Sequence, residues 1–217
     1  MTRVAGDGAT VSVMGRVNGQ GVFPIERPTR TLSAMLARAG GVSIDPEVAV
    51  VTVKRDGNTG RIWLKDLYES SSNDIALRPG DVVLVEEDQR SFTALGALGG
   101  QTKVPLGSEE IDAIEAIALV GGLQTQLADP TGVFILRDEP QSVARAVMGR
   151  NDLYGDQRMA YVLDLTQPNG LFMARDFMIR DEDTVYVTEA PYVQWQKTLG
   201  AITGAAGSAR SLESLAN

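Results

Sequence analysis

The side chains able to do chemistry in this chain of 217 residues are few in kind. Two acidic runs, Glu86-Glu87-Asp88 and Asp181-Glu182-Asp183, bring carboxylates together, the residue type that cleaves glycosidic bonds as an acid and nucleophile pair. Carboxylates adjacent in sequence at strand ends are, in most proteins, solvated turns, and that is the simpler reading of both runs. The second run also lacks the spaced oxygens and the glycine of a calcium loop. Arg55 and Arg137 recur at matching places, where a guanidinium can contact sugar hydroxyls, a neighbouring subunit or a nearby carboxylate. Pairing with a carboxylate is the simplest of these roles. Trp63 offers a ring for sugar stacking, yet within Ile62-Trp63-Leu64 a strand interior is its simpler home. Gly19-Gln20-Gly21 has neither the third glycine nor the following helix start of a phosphate cradle.

What is missing narrows the chemistry further. The chain has no Cys and no His, which removes thiol nucleophiles, imidazole bases, zinc and iron–sulfur ligation, and disulfides together. With 20 Lys+Arg against 28 Asp+Glu, the net charge of −8 disfavours a nucleic-acid partner held through its phosphates. No uninterrupted apolar run approaches the roughly 18 residues of a lone membrane span. The first twenty residues lack the basic start and apolar stretch of a secretory signal, so an exported protein is expected to reach this form by processing or as a piece of a longer chain.

The elements that position these residues come in two copies. Gly15 and Gly96, Pro24 and Pro105, and Gly40 and Gly121 are each displaced by 81 positions, and Arg55 and Arg137 by 82. Further along, Asp66-Leu67 matches Asp164-Leu165 at 98, and Arg78, Asp81 and Val85 match Arg180, Asp183 and Val187 at 102. The jump implies an insertion of roughly 16 residues in the second copy between Asp138 and Ala160, with the composition of a surface loop.

Each copy reads as one short amphipathic helix among short strands. Leu32, Met35, Leu36 and Ala39 recur at helical spacing, with Thr31 as N-cap and Gly40 after the stop. In the second copy Ser108 precedes Glu109 and Glu110, acids suited to a helix N-terminus, and Ile111, Ile114, Ile117 and Ala118 form the buried stripe. β-Branched runs at 48–53, 62–64 and 82–85, and again at 133–136, 161–165 and 185–187, read as strands. One helix laid across a mixed, curved sheet predicts an α+β, β-grasp-like fold, and Arg78-Pro79-Gly80-Asp81 is a turn into the last strand.

These segments carry a family resemblance. VSVMGRVNGQGVFPI at 11–25, TLSAMLARAGG at 31–41 and LRPGDVVLV at 77–85 resemble the opening of the soluble-ligand-binding β-grasp (SLBB) repeats of the Wza-type polysaccharide export proteins of Gram-negative outer membranes. IEAIALVGGL at 114–123, GVFILRDEP at 132–140 and VYVTEAPYVQWQKTLGAI at 185–202 are similar to the later repeat and its exit into a C-terminal helix. Two places depart from the pattern: Gln20-Gly21 stands where Pro-Gly is usual, and Asp181-Glu182-Asp183 where Pro-Gly-Asp closes the repeat. The family's signal peptide, lipid-bearing Cys and export domain have no counterpart here, which implies the C-terminal portion of such a protein or a short member.

The resemblance implies two tandem SLBB domains followed by a C-terminal α-helix: a lead-in at 1–10, a first domain at 11–89, a second at 90–189 with an inserted loop at 138–160, and a helix at 190–217. It implies a periplasmic and outer-membrane component of a capsular or exopolysaccharide translocon, assembled as a homo-oligomeric ring that conducts polymer and works with an inner-membrane co-polymerase. No catalytic residue, cofactor or metal is assigned. Tyr192, Trp195, Leu199, Ile202 and Ala206 lie at spacings of three and four and form the membrane-facing stripe of the last helix, although Gly200, Gly204 and Gly207 suit a helix packed on its own domain or a frayed end equally well. Arg55 and Arg137 are the candidate glycan or inter-subunit contacts. The alternative is a soluble periplasmic glycan- or ligand-binding module without a pore.

Overall fold

The structure, a computed structural model, describes residues 9–27 and 30–190. The C-terminal stripe Tyr192, Trp195, Leu199, Ile202 and Ala206 therefore lies outside the described residues. The chain divides into two compact units, one formed by Met1–Gln89 with Gly107–Glu109, the other by Arg90–Leu106 with Glu110–Asn217.

The first unit is built on a mixed five-stranded sheet of β1 (Thr10–Gly15), β2 (Gly21–Pro24), β3 (Ala49–Arg55), β4 (Asn58–Trp63) and β5 (Val82–Glu87). Its order is β2-β1-β5-β3-β4, with β1 and β5 parallel and the other neighbours antiparallel. Period-two alternation sends Val11 and Val13 of β1, Val51 and Val53 of β3, and Val83 and Val85 of β5 to one face. Helix α1 (Leu32–Arg38) lays Leu32, Met35 and Leu36 on that face, and each such aliphatic side chain contributes roughly 1.5–3 kcal/mol by leaving water. Thr31 caps it by accepting from the Ala34 N–H at 3.4 Å, and Gly40 follows with φ +80°, as its sequence signals predict. The chain then makes a further helix, α2 (Leu64–Glu69), which buries Leu64 and Leu67.

The second unit repeats this plan. Strands β6 (Ser91–Gly96), β7 (Thr102–Pro105), β8 (Ala128–Glu139), β9 (Gln157–Leu163) and β10 (Thr184–Glu189) are ordered β7-β6-β10-β8-β9, the first sheet's order strand for strand. Helix α3 (Ala113–Leu119) covers the core face, α4 (Gln141–Met148) stands between β8 and β9, and α5 (Pro168–Asp176) follows β9. Both units are thus α+β and β-grasp-like. Paired glycines hold the equivalent crossing points: Gly15 and Gly96 have φ near +90°, and a Cβ on either would stand 2.0 Å from the carbonyl oxygen of Val85 or Val187.

Four local expectations need correcting. Helix α3 is capped by Asp112, not Ser108: Asp112 accepts from the Glu115 N–H at 2.8 Å and Glu115 returns the bond to the Asp112 N–H, a complete capping box. Of the expected stripe, Ile111 and Ile117 are buried and Ile114 packs against the core, whereas Ala118 is exposed and Ala113 and Ala116 are buried beside them. Asp66-Leu67 and Asp164-Leu165 are not equivalent, because the former lie in α2 and the latter between β9 and α5. Each unit also carries more than one helix.

The segment between Asp138 and Ala160 shows how the copies diverge. In the first unit β3 and β4 are joined by Asp56 and Gly57, both at positive φ, the two-residue turn whose twist matches a hairpin. In the second, β8 and β9 run on to the pair Glu139 and Gln157 and are joined through α4. The segment beyond α4 is tied back by its own side chains: Arg145 donates to the Leu153 carbonyl at 2.7 and 2.9 Å, and the Gly155 N–H donates to Gln141 Oε1 at 2.8 Å.

Candidate functional site

In each unit the last strand begins at a buried aspartate held by an arginine from the third strand. Arg55 Nε and Nη2 donate to the two carboxylate oxygens of Asp81 at 2.9 and 2.6 Å, and Nη2 also donates to the Ala76 carbonyl at 3.0 Å. Asp81 further accepts from the Arg78 N–H at 2.8 Å. Burial opposes ionisation of Asp81, but these bonds outweigh it and hold its pKa below the ordinary carboxylate range. The hydrogen bond to Asp81 raises the Arg55 pKa in turn.

The second unit builds the same clasp. Arg137 Nε and Nη2 donate to Asp183 at 2.8 and 2.5 Å, Nη2 donates to the Met178 carbonyl at 2.7 Å, and Asp183 accepts from the Arg180 N–H at 2.7 Å. The turn geometry survives the departure from Pro-Gly-Asp, since Glu182 adopts φ 68° where Gly80 has φ 88°. Arg55 and Arg137 are therefore each occupied by a carboxylate of their own unit.

Around the second clasp lies a network without a counterpart in the first. Glu139, at the end of β8, is 1% exposed and accepts from the Tyr161 hydroxyl at 2.9 Å and from Arg180 Nη1 at 3.2 and 3.4 Å. Arg137 Nη1 stands 3.6 Å from the same carboxylate. The Arg137 guanidinium also lies 4.9 Å from the Phe177 ring centroid and 5.9 Å from that of Tyr161, and the two rings meet edge to face at 5.0 Å. Burial opposes the charge on Arg137, yet Asp183 and Glu139 raise its pKa; burial and then Glu139 raise that of Tyr161. In the first unit Gly57 stands in place of Glu139, and Gly60 faces Val53 where Tyr161 faces Ile135.

Beside this network is a cleft of about 440 Å³ whose walls are the β8–β9 hairpin and the turn before β10. Leu136, Met159 and Ala160 give it an apolar side, and its charged lining is Arg137, Arg158 and Arg180 with Asp138, Asp181, Glu182 and Asp183; of these Arg137 and Asp183 are held by each other in the clasp. The acidic run 181–183 is divided in role: Asp183 is buried in the clasp, Asp181 accepts from the Ser91 N–H at 2.9 Å, and Glu182 is exposed. Glu86 and Glu87 are exposed at the end of β5, with Glu87 3.4 Å from Arg16, and Trp63 is half-buried where β4 passes into α2. The Glu139–Tyr161–Arg180 cluster and the cleft were not apparent in the sequence; their only signal was the insertion itself.

Residues 9–85 match the SLBB domain family model. The Vi polysaccharide export protein VexA/TviF of Salmonella typhi is 29% identical over 93% of this chain and 55% of its own length. The capsule polysaccharide export protein BexD of Haemophilus influenzae is 33% identical over 80% of this chain and 45% of its own. The capsule polysaccharide export outer membrane protein CtrA of Neisseria meningitidis is 27% identical over 99% of this chain and 57% of its own. The chain spans about half the length of the curated relatives it matches. It carries an SLBB domain at residues 9–85, repeats that topology in its second unit, and is a relative of the polysaccharide export proteins.

Proposed function

We propose that the chain is a non-enzymatic part of a polysaccharide export protein at the periplasmic side of a Gram-negative outer membrane. The observation that carries this reading is sequence similarity to export proteins that runs through both units, 93% of the chain for VexA/TviF and 99% for CtrA. In this reading several copies assemble side by side into a ring, the lumen passes a hydrated capsular or exopolysaccharide, and an inner-membrane co-polymerase supplies polymer. The segment from residue 190 onward joins the outer membrane. Among the described residues no helix is long and apolar enough to cross a membrane. Domains at 11–89 and 90–189 act as the stacking modules.

The test is genetic. Deleting the gene in its own bacterium should abolish surface polymer, detected by extraction and sugar-composition analysis, with polymer accumulating inside the cell. Normal surface polymer in the deletion strain contradicts the proposal. The cleft in the second unit keeps a second reading in view, a glycan-binding module without a pore. That reading predicts normal export in the deletion strain together with glycan binding by the purified chain.

A further inference from the structure

The two units act as an internal control, because features present in both are what the fold needs and features confined to one are extra. The Arg–Asp clasp is in both and is structural. Glu139, Tyr161, Arg158 and Met159 belong only to the second unit, and the first folds to the same sheet order with glycine in place of both Glu139 and Tyr161. A buried carboxylate between two guanidiniums is costly to desolvate and adds little net stability. Its physical effect here is positional: it fixes one corner of the Arg180 guanidinium at the cleft wall, while the Arg180 side chain remains 57% exposed. Opposite, Arg158 is 95% exposed and lies 4.0 Å from Asp138, a loose pairing that leaves it free to turn.

From this we infer that the cleft between the β8–β9 hairpin and the turn before β10 is a subsite for a carboxylate-bearing sugar of the exported polymer. Arg180 and Arg158 bind the sugar carboxylate, for which the planar guanidinium fork is suited. Asp138 and Glu182 accept from ring hydroxyls, and Leu136 and Met159 face the C–H surface of the ring. Glu139 is a positioning residue that sets Arg180. The inference rests on the export reading for the identity of the ligand as a glycan.

The test is titration of the ¹⁵N-labelled full chain with trigalacturonic acid, with trimeric α2,8-sialic acid and with neutral maltotriose. The expected result is millimolar binding of at least one acidic trimer, with amide shifts at residues 136–138, 158–160 and 180–184 and much weaker binding of maltotriose. Arg180→Ala and Arg158→Ala should each weaken binding by about fivefold or more, and Arg180→Lys should restore part of it. Glu139→Gln should weaken binding with the Arg180→Lys background unaffected, a coupling that a purely structural role would not produce. Binding of neither acidic trimer, equal binding of maltotriose, or shifts confined elsewhere overturns the inference. Those failures leave the export reading standing, because the deletion strain tests that by itself.

Discussion

Asp81 ties the first unit's stability to pH. Its pKa is lowered in the folded protein, so its contribution to stability is complete above the unfolded value of about 3.9 and is lost as pH falls through the lower folded value. Asp74, bonded to the Ser33 N–H at 2.9 Å and its hydroxyl at 2.6 Å, is shifted the same way. Thermal melts from about pH 5 to pH 2 should show falling stability, and Asp81→Asn should flatten the slope while costing on the order of 3 kcal/mol at neutral pH. Glu182 offers the opposite sign. It holds the left-handed conformation that Gly80 holds in the first unit, and Glu182→Gly should raise stability by about 1 kcal/mol in denaturant melts. Arg55 and Arg137 were legible as a pair because the repeat aligned them. Glu139 was not, because its burial depends on a tyrosine 22 residues away and on a hairpin extension that spacing alone does not reveal.

At the scale of elements, the strands and the first helix of each unit follow from local pattern, whereas α2, α4 and α5 do not. None of the three has a side-chain N-cap hydrogen bond, and α2 begins directly from a strand end, so no start signal separates it from Ile62-Trp63. Helix α3 was misplaced for a related reason: Ser108-Glu109-Glu110 imitates an N-terminus, while the working cap is Asp112 with Glu115. Asp112→Ala should cost about 1 kcal/mol, read by urea melts. The extension of β8 and β9 is dispensable to the sheet if the first unit is a fair guide. Replacing residues 139–157 by the Asp56-Gly57 type of turn should preserve a cooperative melt and, by removing Glu139 from behind Arg180 while keeping the cleft's own lining, weaken the acidic-glycan shifts.

For the molecule as a whole, duplication explains why similarity to the export proteins runs through the chain and why each unit has a core of its own. In the proposed export role, a net charge of −8 suits a surface that passes hydrated polymer without retaining it. The central claim, a self-assembling export component, is tested most directly by the light-scattering mass of the purified chain in detergent, measured for the intact form and for one ending at Ala190. The account predicts a discrete oligomer, a whole multiple of the 23.2 kDa chain, that falls to monomer on truncation. A monomer for both forms, with and without detergent, would contradict it.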